Sequence, residues 1–496
     1  MGTVPQTVQQ LIYQPRVRVF GNDLAPPRQL YITVIPGILA LAGAISWMMS
    51  NDQGMVLACF VATAVAFFTL WDWLFRRGPT RFSTLMAMAL LIGYGTGTLN
   101  TWITLPRYSL TLTEVMGLGP GILARGLGAA LVSSASLYFL GEIFEKPIFG
   151  RDFRFEIDSK MRALVYTCTL GMLVGYATHS LTMGSGPVAS GGHISIFGDL
   201  LLWFYTPLTA IAVTNFLISP SRRQKVLAGL SSLILLLLFS VMGRRVIIYT
   251  AMEILFVAGL AGYRVRGMSF RKLFLLAALC AVMVASALTF MLLRIAAGNI
   301  AQTHKSPTLA KQIVVAGKMV NKGGAYTLAG KSTQSNFQTR TFVLAFMANI
   351  LDASSRMTPA MGRDALSMIE LSIPSVIYPD KNSYFSEEAL DDQQFGFSYG
   401  DEANSILTGG ATDFGFFGLI AYPLLVVVFV RLVYDFLARR LKVIPLMFVV
   451  LAISYRMLQT EMTINSYLVG VRDSILFSVL LALVMALPRI QLRATP

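Results

Sequence analysis

The chain has 496 residues, 55% of them apolar and only 13% charged, against roughly a quarter charged in soluble domains. That composition excludes an ordinary soluble enzyme. No basic tract is interleaved with aromatics, so the net charge of +15 points to membrane orientation and not to nucleic acid.

The first 29 residues carry Arg16, Arg18 and Arg28 without an apolar core or a small-residue cleavage site, so no cleaved signal peptide is expected. From there the apolar blocks have the length needed to cross a ~30 Å hydrocarbon layer as helix. They predict an all-α polytopic membrane protein of twelve spans. The first six are Leu30 to Met49, Met55 to Leu74, Ser83 to Ile103, Ile122 to Leu140, Ala163 to Leu181 and Ile194 to Ile218. After a short basic turn come Val226 to Met242, Val246 to Tyr263, Leu273 to Leu293, Phe416 to Phe436, Val443 to Leu458 and Val471 to Leu487. Cys59, Cys168 and Cys280 all lie inside these blocks, where they read as packing residues and not as disulfide or metal ligands.

Cytoplasmic connectors are enriched in Lys and Arg, and the connectors on the side of the N-terminus hold 23 of the 40 basic residues. Both termini are therefore assigned to the cytoplasm. The predicted organisation is a cytoplasmic segment 1–29, spans one to nine within 30–298, an external loop domain 299–413, and spans ten to twelve with a short tail in 414–496. The loop, Asn299 to Asp413, has 115 residues, far beyond an ordinary connector, and such loops are functional or disordered. Its apolar stretches Thr341 to Leu351 and Ala365 to Tyr378 are too short to span and suit helices lying against the outer face or packed over the bundle. Tyr384 to Asp413 then concentrates acidic, aromatic and glycine residues just before the next span.

Several arginines fall within or beside spans at the predicted external face: Arg125, Arg244, Arg245, Arg294, Arg456 and Arg472. An arginine at membrane depth costs a few kcal/mol on insertion scales, so it normally faces the protein interior or a watery cavity with a partner. Guanidinium gives bidentate bonds to phosphate oxygens and keeps its charge, which suits an anionic ligand. Snorkelling to headgroups, or pairing with Asp199, Glu253, Glu461 or Asp473, is the plainer alternative for any one of them. Glu253 reads either as a proton relay or as a structural ion pair. His179, His193 and His304 lack metal-ligand spacing, so no metal or other cofactor is expected.

The segment Asp72 to Arg77, DWLFRR, loosely resembles the cytoplasmic signature of major facilitator transporters. Those transporters join two six-span halves by a long inner loop, whereas here the sixth-to-seventh connector is short. The passage Ser398 to Leu419, SYGDEANSILTGGATDFGFFGL, with the Gly243-Arg244-Arg245 turn, resembles the bacterial O-antigen polymerase and O-antigen ligase superfamily. Its pattern of His-Asn/Ser, nine residues, Gly, two residues, Gly is met by Ser405, Gly415 and Gly418, while Asn404 stands where the ligases carry histidine. That departure favours a repeat-unit polymerase over a ligase.

The resemblance implies a metal-independent glycosyltransferase of the bacterial inner membrane. It would polymerise polyprenyl-diphosphate-linked oligosaccharide repeat units at the periplasmic face, for O-antigen, capsule or exopolysaccharide. A ligase-like glycan transferase and a lipid-linked glycan transporter are the alternatives. Lipid-linked donor and acceptor, membrane lipid, a chain-length regulator and export proteins are the implied partners. The six arginines would hold the donor diphosphate. A carboxylate must then take the acceptor proton, and Asp401 and Glu402 are the candidates, with Asp413 third.

Overall fold

The computed structural model describes residues 29–76, 80–104, 117–148, 157–177, 205–219, 221–242, 244–261, 270–301, 309–321, 343–374, 377–379, 387–397, 404–441 and 443–486. Among them helices dominate and no β-strand forms. The first four helices are α1 (Leu30–Met49), α2 (Asp52–Arg76), α3 (Phe82–Ile103) and α4 (Pro120–Phe144). They follow the first four apolar blocks, and Pro120 opens α4 at a position where its missing N–H costs nothing. Next come α5 (Ser159–Ala177), α6 (Tyr205–Ile218), α7 (Arg222–Met242), α8 (Arg244–Leu260) and α9 (Phe270–Ala301). The expected loop domain contributes α10 (Leu309–Asn321), α11 (Val343–Arg356), α12 (Arg363–Ser372) and α13 (Glu387–Phe395). The chain closes with α14 (Ile406–Ala438), α15 (Val443–Met457) and α16 (Ile464–Ala486).

Among the described residues six helices are long and apolar enough to cross a membrane: α1, α2, α3, α4, α14 and α16. On α14 the exposed side chains Leu425, Val428, Leu432 and Phe436 recur every three or four residues, opposite buried Val426, Val427, Val430 and Leu437. An exposed apolar stripe of that kind has hydrocarbon, not water, as its natural surroundings. Helices also occupy the described parts of the other expected blocks, and there α6, α8 and α15 are shorter than a full crossing. The structure thus supports a helical membrane protein, with six helices among the described residues that have the length and composition to cross.

Helices α1 and α4 form the tightest pair. A Cβ on Gly43 would lie 2.7 Å from the Gly128 carbonyl oxygen, and one on Gly128 would lie 2.6 Å from that of Gly43. Backbone approach of this closeness maximises van der Waals packing where the hydrophobic effect between helices is weak. Helix α2 packs on both, and α14 packs against α3 and α4. Helices α5 to α9 form a second group, joined to the first through α15 and through contacts of α8 with α2. At one end of the first group α11 lies over α4 and α14, with α12 and α13 beside it; we call this the cap end. At the opposite end a buried ion pair, Arg81 with Glu142, joins α4 to the residue preceding α3. The Glu145 carboxylate accepts from the Phe82 and Ser83 N–H groups and so caps α3.

Two expectations shift. The tenth span, expected from Phe416, begins helically at Ile406, so the last residues assigned to the loop already belong to α14. Helix α16 starts at Ile464, seven residues before the expected Val471. Within the expected apolar stretches, α11 takes residues 343–351 and α12 residues 365–372, two short helices over the bundle.

Candidate functional site

The Ser405, Gly415, Gly418 spacing has a direct structural meaning. Ser405 is the N-cap of α14: its hydroxyl accepts from the Leu407 and Thr408 N–H groups, and the Thr408 hydroxyl accepts from the Ser405 N–H. This reciprocal capping satisfies backbone donors that a helix start leaves bare. The Ser405 hydroxyl also shares a 2.5 Å hydrogen bond with the Tyr94 hydroxyl. Tyr94 lies in a π-helical stretch of α3, Leu91–Thr96, and such bulges often mark functional positions.

After two turns α14 breaks. Phe414 leaves the helical region, and Gly415 adopts φ +57°, ψ −138°, a conformation that is essentially restricted to glycine. The chain then folds back, so that a Cβ on Gly418 would sit 1.8 Å from the Gly410 carbonyl oxygen. The pattern therefore encodes a cap, a turn and a backbone crossing.

Asp413, the last residue before the break, is wholly buried. Its carboxylate accepts from the Asp364 N–H at 3.0 Å, the Ala365 N–H at 2.9 Å and the Tyr422 hydroxyl. It thereby caps α12, whose own N-cap, Gly362, has no side chain to do so. In return, the Ala360 and Met361 N–H groups donate to the carbonyls of Thr412 and Asp413. Thr412 donates to the Asp391 carboxylate of α13 at 2.6 Å. The break in α14 is thus the anchor of the cap helices, and Asp413 serves there as a cap.

A cleft of about 710 Å³ opens between α1, α4, α11 and the break. Trp47, Met48, Val132, Phe414 and Phe416 line its apolar part, and Arg125, Asp352, Ser354 and Ser355 its polar part. Arg125 donates to the Asp352 carboxylate at 3.2 Å, and Arg356 pairs with the same carboxylate. Two guanidinium groups thus share one carboxylate at this edge of the cleft, Arg125 from within its lining and Arg356 from outside it.

The other arginines are distributed around this region. Arg472 bonds Asp473 at 2.8 Å and donates to the Ser372 carbonyl at 2.7 Å, which ties α16 to the C-terminus of α12. Arg456, at the end of α15, lies within electrostatic reach of Asp473, Tyr455 and Tyr467. Arg294 lies on α9. Arg244 and Arg245 open α8, and their side chains are outside the described residues, as are Asp401, Glu402, His179, His193 and His304. Glu253 is enclosed in α8, and neither of its carboxyl oxygens has a hydrogen-bond partner among the described residues.

The structure therefore brings Arg125 and Gly415 into one cleft and places Asn404 and Ser405 beside Tyr94. Sequence reasoning missed Tyr94, Asp352 and Arg356. The i, i+4 spacing of the last two on an amphipathic helix was a usable signal; Tyr94 offered only its flanking glycines. Comparisons with protein-family models, curated proteins and solved structures gave no match.

Proposed function

We propose that this protein is a membrane glycosyltransferase that polymerises polyprenyl-diphosphate-linked oligosaccharide repeat units at the cap end, the periplasmic face of a bacterial inner membrane. The observation that carries the reading is the fold of residues 404–418. The residues that match the superfamily pattern form a cap, a glycine turn and a close crossing beneath three short helices, a setting built to hold an active-site loop in place. The membrane helices and the arginines at the cap end are consistent with a lipid-linked anionic donor.

In the proposed reaction the acceptor hydroxyl attacks the anomeric carbon of the donor chain. The bond from that carbon to the diphosphate oxygen breaks, and polyprenyl diphosphate leaves. Fixed cations aimed at the charge developing on the leaving group lower the barrier without a metal; Arg125, Arg244, Arg245, Arg456 and Arg472 are assigned to this, with Arg294 peripheral. Asp401 or Glu402 takes the acceptor proton. Twelve crossings with both termini cytoplasmic complete the proposal.

The test is incubation of purified protein with lipid-linked oligosaccharide. A ladder of products supports polymerisation. A single transfer to another acceptor would indicate a ligase, and unchanged substrate would overturn the enzymatic reading in favour of transport.

A further inference from the structure

The cleft at the cap end joins two kinds of surface. Its apolar wall, with Trp47, Met48 and Phe416, is built by α1 and α14, both long and apolar enough to cross a membrane. The exposed residues Ile38, Leu41, Ala44 and Met48 recur every three or four positions and carry that wall along α1, away from the polar edge. A hydrocarbon chain entering from the bilayer along this stripe meets no polar surface on the way. The space of about 710 Å³ falls within the usual range of ligand pockets.

At the polar edge Arg125 does not face the cleft as a free cation. Its guanidinium donates to Oδ1 of Asp352 at 3.2 Å, and both side chains belong to the lining. The other oxygen, Oδ2, is held by Arg356, four residues further along α11. An anion that reaches Arg125 must therefore take it from Asp352. That exchange is easy, because the Arg125 side chain is half-exposed and such pairs are worth little. Arg356 makes it easier still, since a carboxylate released by Arg125 keeps a partner on its own helix.

The two surfaces together select a ligand class. A neutral lipid uses the apolar wall and leaves Arg125 with Asp352, whereas a free anion uses Arg125 and leaves the wall bare. A phosphate joined to an apolar chain uses both, and its oxygens match the guanidinium fork in a bidentate pair stronger than a single hydrogen bond. We propose that this cleft takes a lipid phosphate from the bilayer and that Asp352 is its exchangeable counter-ion: the phosphate takes Arg125, and Arg356 keeps Asp352. Asp352 then limits how tightly the cleft holds phosphate, and so favours release of a phosphate-bearing lipid. Arg356 is a positioning residue that acts through Asp352. The place of this lipid in a reaction rests on the glycosyltransferase reading, but its binding is measurable without turnover.

The test is native mass spectrometry of the purified protein in a neutral detergent, with farnesyl phosphate as the probe and monodisperse elution as the check on each variant's fold. Arg125→Ala should weaken binding by about tenfold or more, the worth of a hydrogen bond to a charged group; the binding it removes is the share of the cleft. Asp352→Asn, which keeps the shape and removes the competing charge, should tighten binding about two- to fivefold. Arg356→Ala should weaken it by a similar factor in the wild-type background and leave it unchanged in the Asp352→Asn background. Inorganic phosphate and farnesol, each one half of the ligand, should compete at least about tenfold less well than farnesyl phosphate. Equal competition by either half overturns the lipid phosphate assignment. Undiminished binding in a folded Arg125→Ala, no gain in a folded Asp352→Asn, or an equal loss from Arg356→Ala in both backgrounds overturns the exchange. Polymer formation with unchanged affinity in Asp352→Asn would remove this inference and leave the polymerase reading, whereas binding in the expected order without polymer formation would do the reverse.

Discussion

Replacement of Asp413 separates a structural carboxylate from a reacting one. In Asp413→Ala the Asp364 and Ala365 N–H groups lose their acceptor, and the Tyr422 hydroxyl loses the same partner in buried surroundings. Removal of a helix cap costs about 0.5–2 kcal/mol, and a buried polar group left unsatisfied adds about 1–3 kcal/mol, so the expected total is about 2–5 kcal/mol. Asp413→Asn keeps one acceptor oxygen and should lose about half of that. Detergent-purified variants are compared by thermal unfolding followed through intrinsic fluorescence, alongside limited proteolysis within residues 358–395. The expected order of melting temperature is wild type, then Asn, then Ala, with cleavage of the cap helices rising in parallel. Chain extension should fall only in proportion to the folded fraction. If Asp413→Ala melts with the wild type yet loses turnover, the capping account is wrong and Asp413 belongs among the reacting groups.

Gly415→Ala has space for its methyl group, the nearest atom being the Ser354 hydroxyl at 3.5 Å; its expected cost of about 1–3 kcal/mol is backbone strain alone, read as a lowered melting temperature. Gly418→Ala must instead push apart two backbones and should fail to give monodisperse protein. Tyr94→Phe removes one buried hydrogen bond and should cost about 1 kcal/mol in the same unfolding assay. Arg125→Ala breaks a half-exposed ion pair, so stability should change by less than about 1 kcal/mol, whereas donor binding should weaken if the cleft holds the diphosphate. A cysteine at Ser335, in the expected external loop, should react with an impermeant maleimide in intact cells; labelling only after the membrane is opened would reverse the proposed orientation.

The long apolar blocks were legible because span length is a local property, and α1 to α4 follow them closely. Helices α11 and α12 were legible too, from short apolar runs that cannot cross. The first arm of α14 was not. Residues 406–413 mix glycine, threonine and aspartate, a composition that reads as loop, and they become helical because a cap at Ser405 and partners from residues 360–365 satisfy the backbone. The role of Asp413 was hidden for the same reason, since its partners lie 48 and 49 positions earlier. The spacing of Ser405, Gly415 and Gly418 stood out in the sequence, but nothing local revealed that it describes a cap, a turn and a crossing.

The ties that hold α14 in place reach far back along the chain. Tyr94 and Ser405 are 311 positions apart, and the Ser133 hydroxyl donates to the Leu419 carbonyl across 286. At about 5–20 residues per second a ribosome needs roughly 15–60 s to make the stretch between Tyr94 and Ser405. Throughout that interval the site on α3 and α4 that will receive α14 is without its occupant, and the cap helices, made only in its last part, have no anchor until residues 405–413 follow them. The newborn protein therefore passes through a long-lived state with an open seam, and whatever shields that seam in the membrane governs how much chain reaches the finished fold.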